Sequence, residues 1–176
     1  MDRLTTVSSS YDNSFSRTES YTYRTYTYNG ATYTDSVVTT YTNSGSTYSF
    51  LYDTNGNITE ITETEGSSTY VYKYFYDEYN QLIEAWDGRI GKIYEYVYDN
   101  AGNITQKNEY QMYNFGEKFG TPTTYTYGYS TGAWGDQLTS FNGASITCDA
   151  VGNPLTYYNG SNSVWTQAVK SKVIKW

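Results

Sequence analysis

The sequence predicts an all-β fold: an antiparallel, twisted sheet of consecutive β-hairpins. Three observations predict it. Aromatic residues recur at every second position, as in Tyr70, Tyr72, Tyr74 and Tyr76. That spacing puts their rings on one face of a strand. Tyr and Thr dominate the composition, and both favour a half-buried pleated surface. Finally, a short turn segment built from Asp, Gly and Asn recurs along the chain, which marks a repeat architecture.

Composition bounds the rest. The chain has 176 residues, so one domain is expected, over residues 1–166, with an atypical tail at 167–176. There are 24 Tyr, 6 Phe and 4 Trp. Leu, Ile, Val and Phe make up only about 16% of the residues, below the roughly 20% at which a highly charged chain is expected to be disordered. The net charge is only -7, and tyrosine rings can bury area while keeping a wet hydroxyl. The pI near 4.5 and the lack of a basic run remove the footprint of a nucleic-acid binder. Cys148 stands alone, so no intrachain disulfide is expected. No apolar run approaches the length of a membrane helix. The opening Met1-Asp2-Arg3-Leu4 does not read as a signal peptide, so export would rest on something outside this chain.

The repeat is carried by four segments. They hold Tyr52, Asp53, Gly56 and Asn57; Tyr76, Asp77 and Asn80; Tyr98, Asp99, Gly102 and Asn103; and Cys148, Asp149, Gly152 and Asn153. The aspartates are spaced by 24, 22 and 50 residues. A degenerate unit is therefore expected between the last two, with Tyr125, Tyr127 and Tyr129 on its strand. Each unit reads as a β-hairpin. The aspartate ends the strand, because its carboxylate can accept a bond from the backbone N–H two residues on. Glycine follows where a hairpin loop needs positive φ. Asn80 takes that place in the second unit, and Asn is among the few other residues that tolerate it. Ile58, Ile104 and Leu155 begin the return strands.

Residues 18–50 form a Thr/Tyr ladder. Its parity changes between Tyr23 and Tyr26, which implies a bulge or a turn near Arg24-Thr25. Asn29-Gly30 is a strong hairpin signal and Asn43-Ser-Gly45 a weaker one. The only helical candidate is the stretch after Trp165.

The Tyr-Asp-x-x-Gly-Asn-Ile-Thr signature, preceded by Tyr-x-Tyr, resembles the YD-repeat or RHS (rearrangement hotspot) family. Residues 134–143, from Trp134-Gly-Asp136 to Asn142-Gly143, also look like the family's last repeats. The resemblance covers about residues 18–166. It implies a spiralling sheet that is a section of a β-shell, as in polymorphic toxins and insecticidal toxin complexes, where the shell encloses a C-terminal effector. It implies a secreted or surface location through a parent protein, and partnership with the rest of that protein or its effector. The sequence has no Asp-Pro pair, so the family's self-cleavage is not expected. The tail from Ala168 departs from the family pattern, and a frameshift-truncated piece of a longer gene is the expectation that accounts for it.

No catalytic residue, cofactor or metal is expected. There is no His, which removes the usual triads and zinc sites. Glu60, Glu63 and Glu65, and Asp87 near Glu84, could pair as acid and base. They read better as solvated charge that discourages edge pairing. Asp53-Thr-Asn55-Gly56-Asn57 resembles the start of a calcium loop, but Ile58 and Thr64 occupy the places of its glycine and bidentate glutamate. Asn57-Ile-Thr59, Asn103-Ile-Thr105 and Asn159-Gly-Ser161 match the glycosylation sequon, which the repeat itself generates in two cases. The tyrosine stripes read chiefly as packing surface. Their alternative is a sugar-stacking face at Tyr72, Tyr74, Tyr94 and Tyr96. The leading expectation is thus a structural scaffold segment and not an enzyme. The alternative is a carbohydrate- or cell-surface-binding β module, and a glycan-acting enzyme comes third. Self-association through edge strands is expected.

Overall fold

The computed structural model describes residues 3–11, 15–132, 135–158 and 164–166. The fold is all-β. Twelve strands form one unclosed sheet in which spatial order equals chain order. They are β1 (Thr6–Tyr11), β2 (Phe15–Tyr28), β3 (Ala31–Thr42), β4 (Ser46–Tyr52), β5 (Ile58–Glu65) and β6 (Ser68–Tyr76). There follow β7 (Leu82–Asp87), β8 (Lys92–Tyr98), β9 (Ile104–Met112), β10 (Lys118–Tyr129), β11 (Leu138–Phe141) and β12 (Ala144–Ser145). A separate antiparallel pair joins β13 (Thr156–Tyr158) to β14 (Val164–Thr166). The helical candidate and the tail at 167–176 lie outside the described residues.

The sheet begins earlier than the Thr/Tyr ladder alone implies. β1 contains Ser8, Ser9 and Ser10 and lacks alternating aromatics, so it carries little strand signal of its own. Its pairing with Phe15–Ser20 of β2 makes it a strand. The parity change after Tyr23 is a bulge, not a turn. The β2–β3 register shifts on both sides of Tyr23, and β2 runs on to Tyr28. Arg24 faces Asp35 there, with Nε 2.7 Å from Oδ2. The hairpin then closes at Asn29 and Gly30, with φ of 50° and 78°, the two positive values a type I′ turn requires.

The chain divides into two compact units, Met1–Ile93 with Met112–Lys118, and Tyr94–Gln111 with Phe119–Trp176. In the first, one face carries a row across five strands: Tyr21, Tyr41, Tyr48, Glu63 and Tyr70. Successive rings lie 5.2 Å (Tyr21–Tyr41) and 5.8 Å (Tyr41–Tyr48) apart. The opposite face carries Thr42, Thr47, Thr64 and Thr69 in register. Phe75, Trp86 and Phe115 cluster on that opposite face, with ring centroids 4.9 Å and 5.4 Å apart. Gly116 lets the turn after β9 close over them: a Cβ there would sit 2.5 Å from the Trp86 ring. In the second unit, Tyr125 and Tyr127 flank Phe141, and Lys107 lies 4.4 Å from the centre of the Tyr94 ring.

Burial is sparse. Among the described residues, only Ala85, Ile93 and Glu63 are buried. The tyrosines are mostly half-buried, so cross-strand ring contacts and side-chain hydrogen bonds supply cohesion that a thick apolar core supplies elsewhere.

Candidate functional site

The repeated turn is the first structural site. Asp53 Oδ1 accepts the backbone N–H of Asn55 and of Asn57, each at 2.9 Å. Oδ2 accepts the Asn57 side-chain amide at 2.9 Å. The same set recurs at Asp99 with Ala101 and Asn103, and at Asp149 with Val151 and Asn153. At Asp77, Oδ1 accepts the N–H groups of Tyr79 and Gln81. These bonds hold the carboxyls of Asp53, Asp99 and Asp149 below the usual aspartate range, with the Asn side-chain amide the largest influence. Two backbone bonds close each loop, illustrated by Asp53 N–H to Asn57 O and Gly56 N–H to Asp53 O. Gly56, Gly102 and Gly152 have φ of 91°, 86° and 88°, and Asn80 has 61°.

Successive units are clamped by two devices. At three of the turns the preceding tyrosine reaches back one repeat. Tyr76 Oη donates to Ile58 O at 2.9 Å, and Tyr129 Oη to Ile104 O at 2.9 Å. Tyr52 Oη donates to Val38 O at 2.7 Å. The turns themselves are also bridged. Asn80 Oδ1 accepts the side-chain amides of Asn55 and Asn57, and the Asn103 amide reaches Gly135 O. The departure from glycine at Asn80 therefore adds an inter-repeat contact.

The degenerate unit lies where Tyr125, Tyr127 and Tyr129 place it, on β10. Ser130 stands in for the aspartate. Its Oγ accepts the N–H of Gly132, and its own N–H bonds Gln137 O. Asn142 and Gly143, with φ of 47° and 78°, close β11 onto β12. The Asn-Gly pair was the signal for this turn, and its place among the family-like residues obscured it.

Glu63 corrects the expectation of solvated charge. It is only 4% exposed, because the register places it between Tyr48 and Tyr70 in an otherwise aromatic row. Tyr48 Oη donates to its Oε1 at 3.0 Å and Tyr72 Oη to its Oε2 at 2.5 Å. Arg89 reaches Oε1 at 2.8 Å and also pairs with Glu65. The Arg89 guanidinium lies 4.6 Å from the centre of the Tyr70 ring. The bond from Tyr72 is the main force lowering the Glu63 carboxyl, opposed by burial and aided by Tyr48 and Arg89. Burial, then the Glu63 bond, pushes the Tyr72 hydroxyl well above the ordinary tyrosine range. Glu60 is half-buried and pairs with Lys73, 3.4 Å away. Asp87 caps the turn into Arg89 and Ile90.

Tyr72, Tyr74, Tyr94 and Tyr96 are all half-buried. Tyr72 belongs to the Glu63 cluster, and burial raises the Tyr74 hydroxyl. Tyr98 sits at the end of β8, before the Asp99 turn. Among the described residues, no group of three or more His, Cys, Asp or Glu could hold a metal ion. None has a helix long and apolar enough to cross a membrane. Comparison with protein-family models and with curated proteins finds no match.

Proposed function

We propose that the chain is a scaffold segment of an RHS-type secreted or surface protein, one that encapsulates or displays a C-terminal effector. The observation that carries this reading is the inter-repeat tyrosine clamp, found at Tyr52, Tyr76 and Tyr129. A unit whose side chains are spent on its neighbour extends by adding units, as repeat architectures do. The carboxylates support the same reading. Those of Asp53, Asp99 and Asp149 are occupied by turn donors, and that of Glu63 by two phenols and a guanidinium.

The coding DNA on either side of this reading frame tests the proposal. Further Tyr-Asp-x-x-Gly-Asn units upstream and an Asp-Pro-containing core downstream are expected. Unrelated flanking genes would contradict it.

A further inference from the structure

Cys148 stands where the other repeats place a tyrosine. It precedes the Asp149 turn and bridges Pro154, as Tyr52 pairs with Ile58. At two of these positions the tyrosine bonds the carbonyl that opens the preceding return strand, Ile58 for Tyr76 and Ile104 for Tyr129, whereas Tyr52 bonds Val38 within β3. For Cys148 the matching residue is Leu138, because Ser130 N–H bonds Gln137 O as Asp53 bonds Asn57. The register agrees. Ile146 N–H bonds Thr139 O, which continues the Ser140–Ser145 register of β11 and β12 toward Cys148.

A thiol cannot fill the volume of a phenol. The space is present: a pocket of about 270 Å³ is lined by Asp136, Gln137, Leu138, Ile146, Cys148, Gly152 and Pro154. A dry cavity of ~150 Å³ walled by Leu, Ile and Phe already holds a benzene ring. We propose that this pocket binds a para-substituted phenol. The ring packs on Leu138, Ile146 and Pro154, and the hydroxyl points to the Leu138 carbonyl, as the Tyr76 and Tyr129 hydroxyls point to Ile58 and Ile104. The occupant is a free phenol or a tyrosine side chain, which share this chemistry.

The test is titration of the full chain with 4-methylphenol, followed by NMR. Saturable binding is expected, with shifts centred on Leu138, Ile146 and Cys148. Cys148→Ala keeps the pocket open and should bind as well as the parent. Cys148→Tyr fills it and should bind at least about tenfold more weakly. Toluene, which lacks the hydroxyl, should also lose about tenfold. N-acetyltyrosinamide separates the sources: binding equal to 4-methylphenol assigns a tyrosine side chain, and exclusion assigns a free phenol. Absence of saturable binding to the parent or to Cys148→Ala overturns the site. So does undiminished binding to a folded Cys148→Tyr, or toluene binding as tightly as the phenol.

Discussion

A tyrosine hydroxyl that ends on a neighbouring repeat's carbonyl joins ring packing and hydrogen bonding in one residue. Removing the hydroxyl alone isolates the second part. Tyr76→Phe and Tyr129→Phe should each lower unfolding free energy by about 1 kcal/mol, measured by denaturant titration. Tyr79→Phe, at a residue 75% exposed, should change nothing measurable. Glu63 makes a pH prediction. Its carboxyl is held below the ordinary value in the folded chain. Its contribution is therefore full above the unfolded glutamate pKa and is lost as pH falls through the lower folded value. The denaturation midpoint should drop below about pH 4, and Glu63→Gln should flatten part of that fall. It should also cost about 1–3 kcal/mol at pH 7 by unbalancing a buried cluster. An unchanged acid limb in the variant would rule out this role. The Asp turns were legible in the sequence because their bonds span two to four residues. Glu63 was not, since its burial depends on the rows that strand pairing creates.

At the level of the hairpin, the motif glycine Gly56 is needed for its backbone and not for space. Nothing lies within 4 Å of a Cβ built on Gly56, but its φ is 91°. Gly56→Ala should cost about 1–2 kcal/mol. Gly45→Ala, equally open and without positive φ, should cost far less. Asn80→Gly keeps the turn geometry but removes the acceptor for Asn55 and Asn57. Thermal unfolding should therefore show a loss, where backbone preference alone predicts none. Hairpin positions were legible because turn chemistry is local: Asn29-Gly30 and the Asp-x-x-Gly segments announce themselves. The bulge in β2 was visible only as a parity change, and the choice between bulge and turn needed the partner strand. β1 was invisible because its serines signal a strand only through pairing with β2. The degenerate repeat showed its tyrosines but hid its turn, where Ser130 replaces Asp and the loop to Gln137 is longer.

Across the whole molecule, the order of strands follows the chain, and β1 and β12 lie at the two ends of the sheet. β1 carries no charged residue, so it lacks a usual defence against edge pairing. Mass measured by light scattering should rise with concentration, and a Lys substituted at Val7 should reduce that rise. A constant monomer mass would count against edge association. The linear order was legible from the spacing of the aspartates. The tyrosine clamp between repeats was not, because it joins residues 14 to 25 apart in sequence. The claim that joins these scales is that each repeat is held mainly by its neighbour. Residue-resolved hydrogen exchange of the parent and Tyr76→Phe tests it directly. Nearest-neighbour coupling predicts faster exchange in the β4–β5 and β6–β7 hairpins and an unchanged Asp149 turn. Equal acceleration throughout the chain, or none in those hairpins, would contradict it.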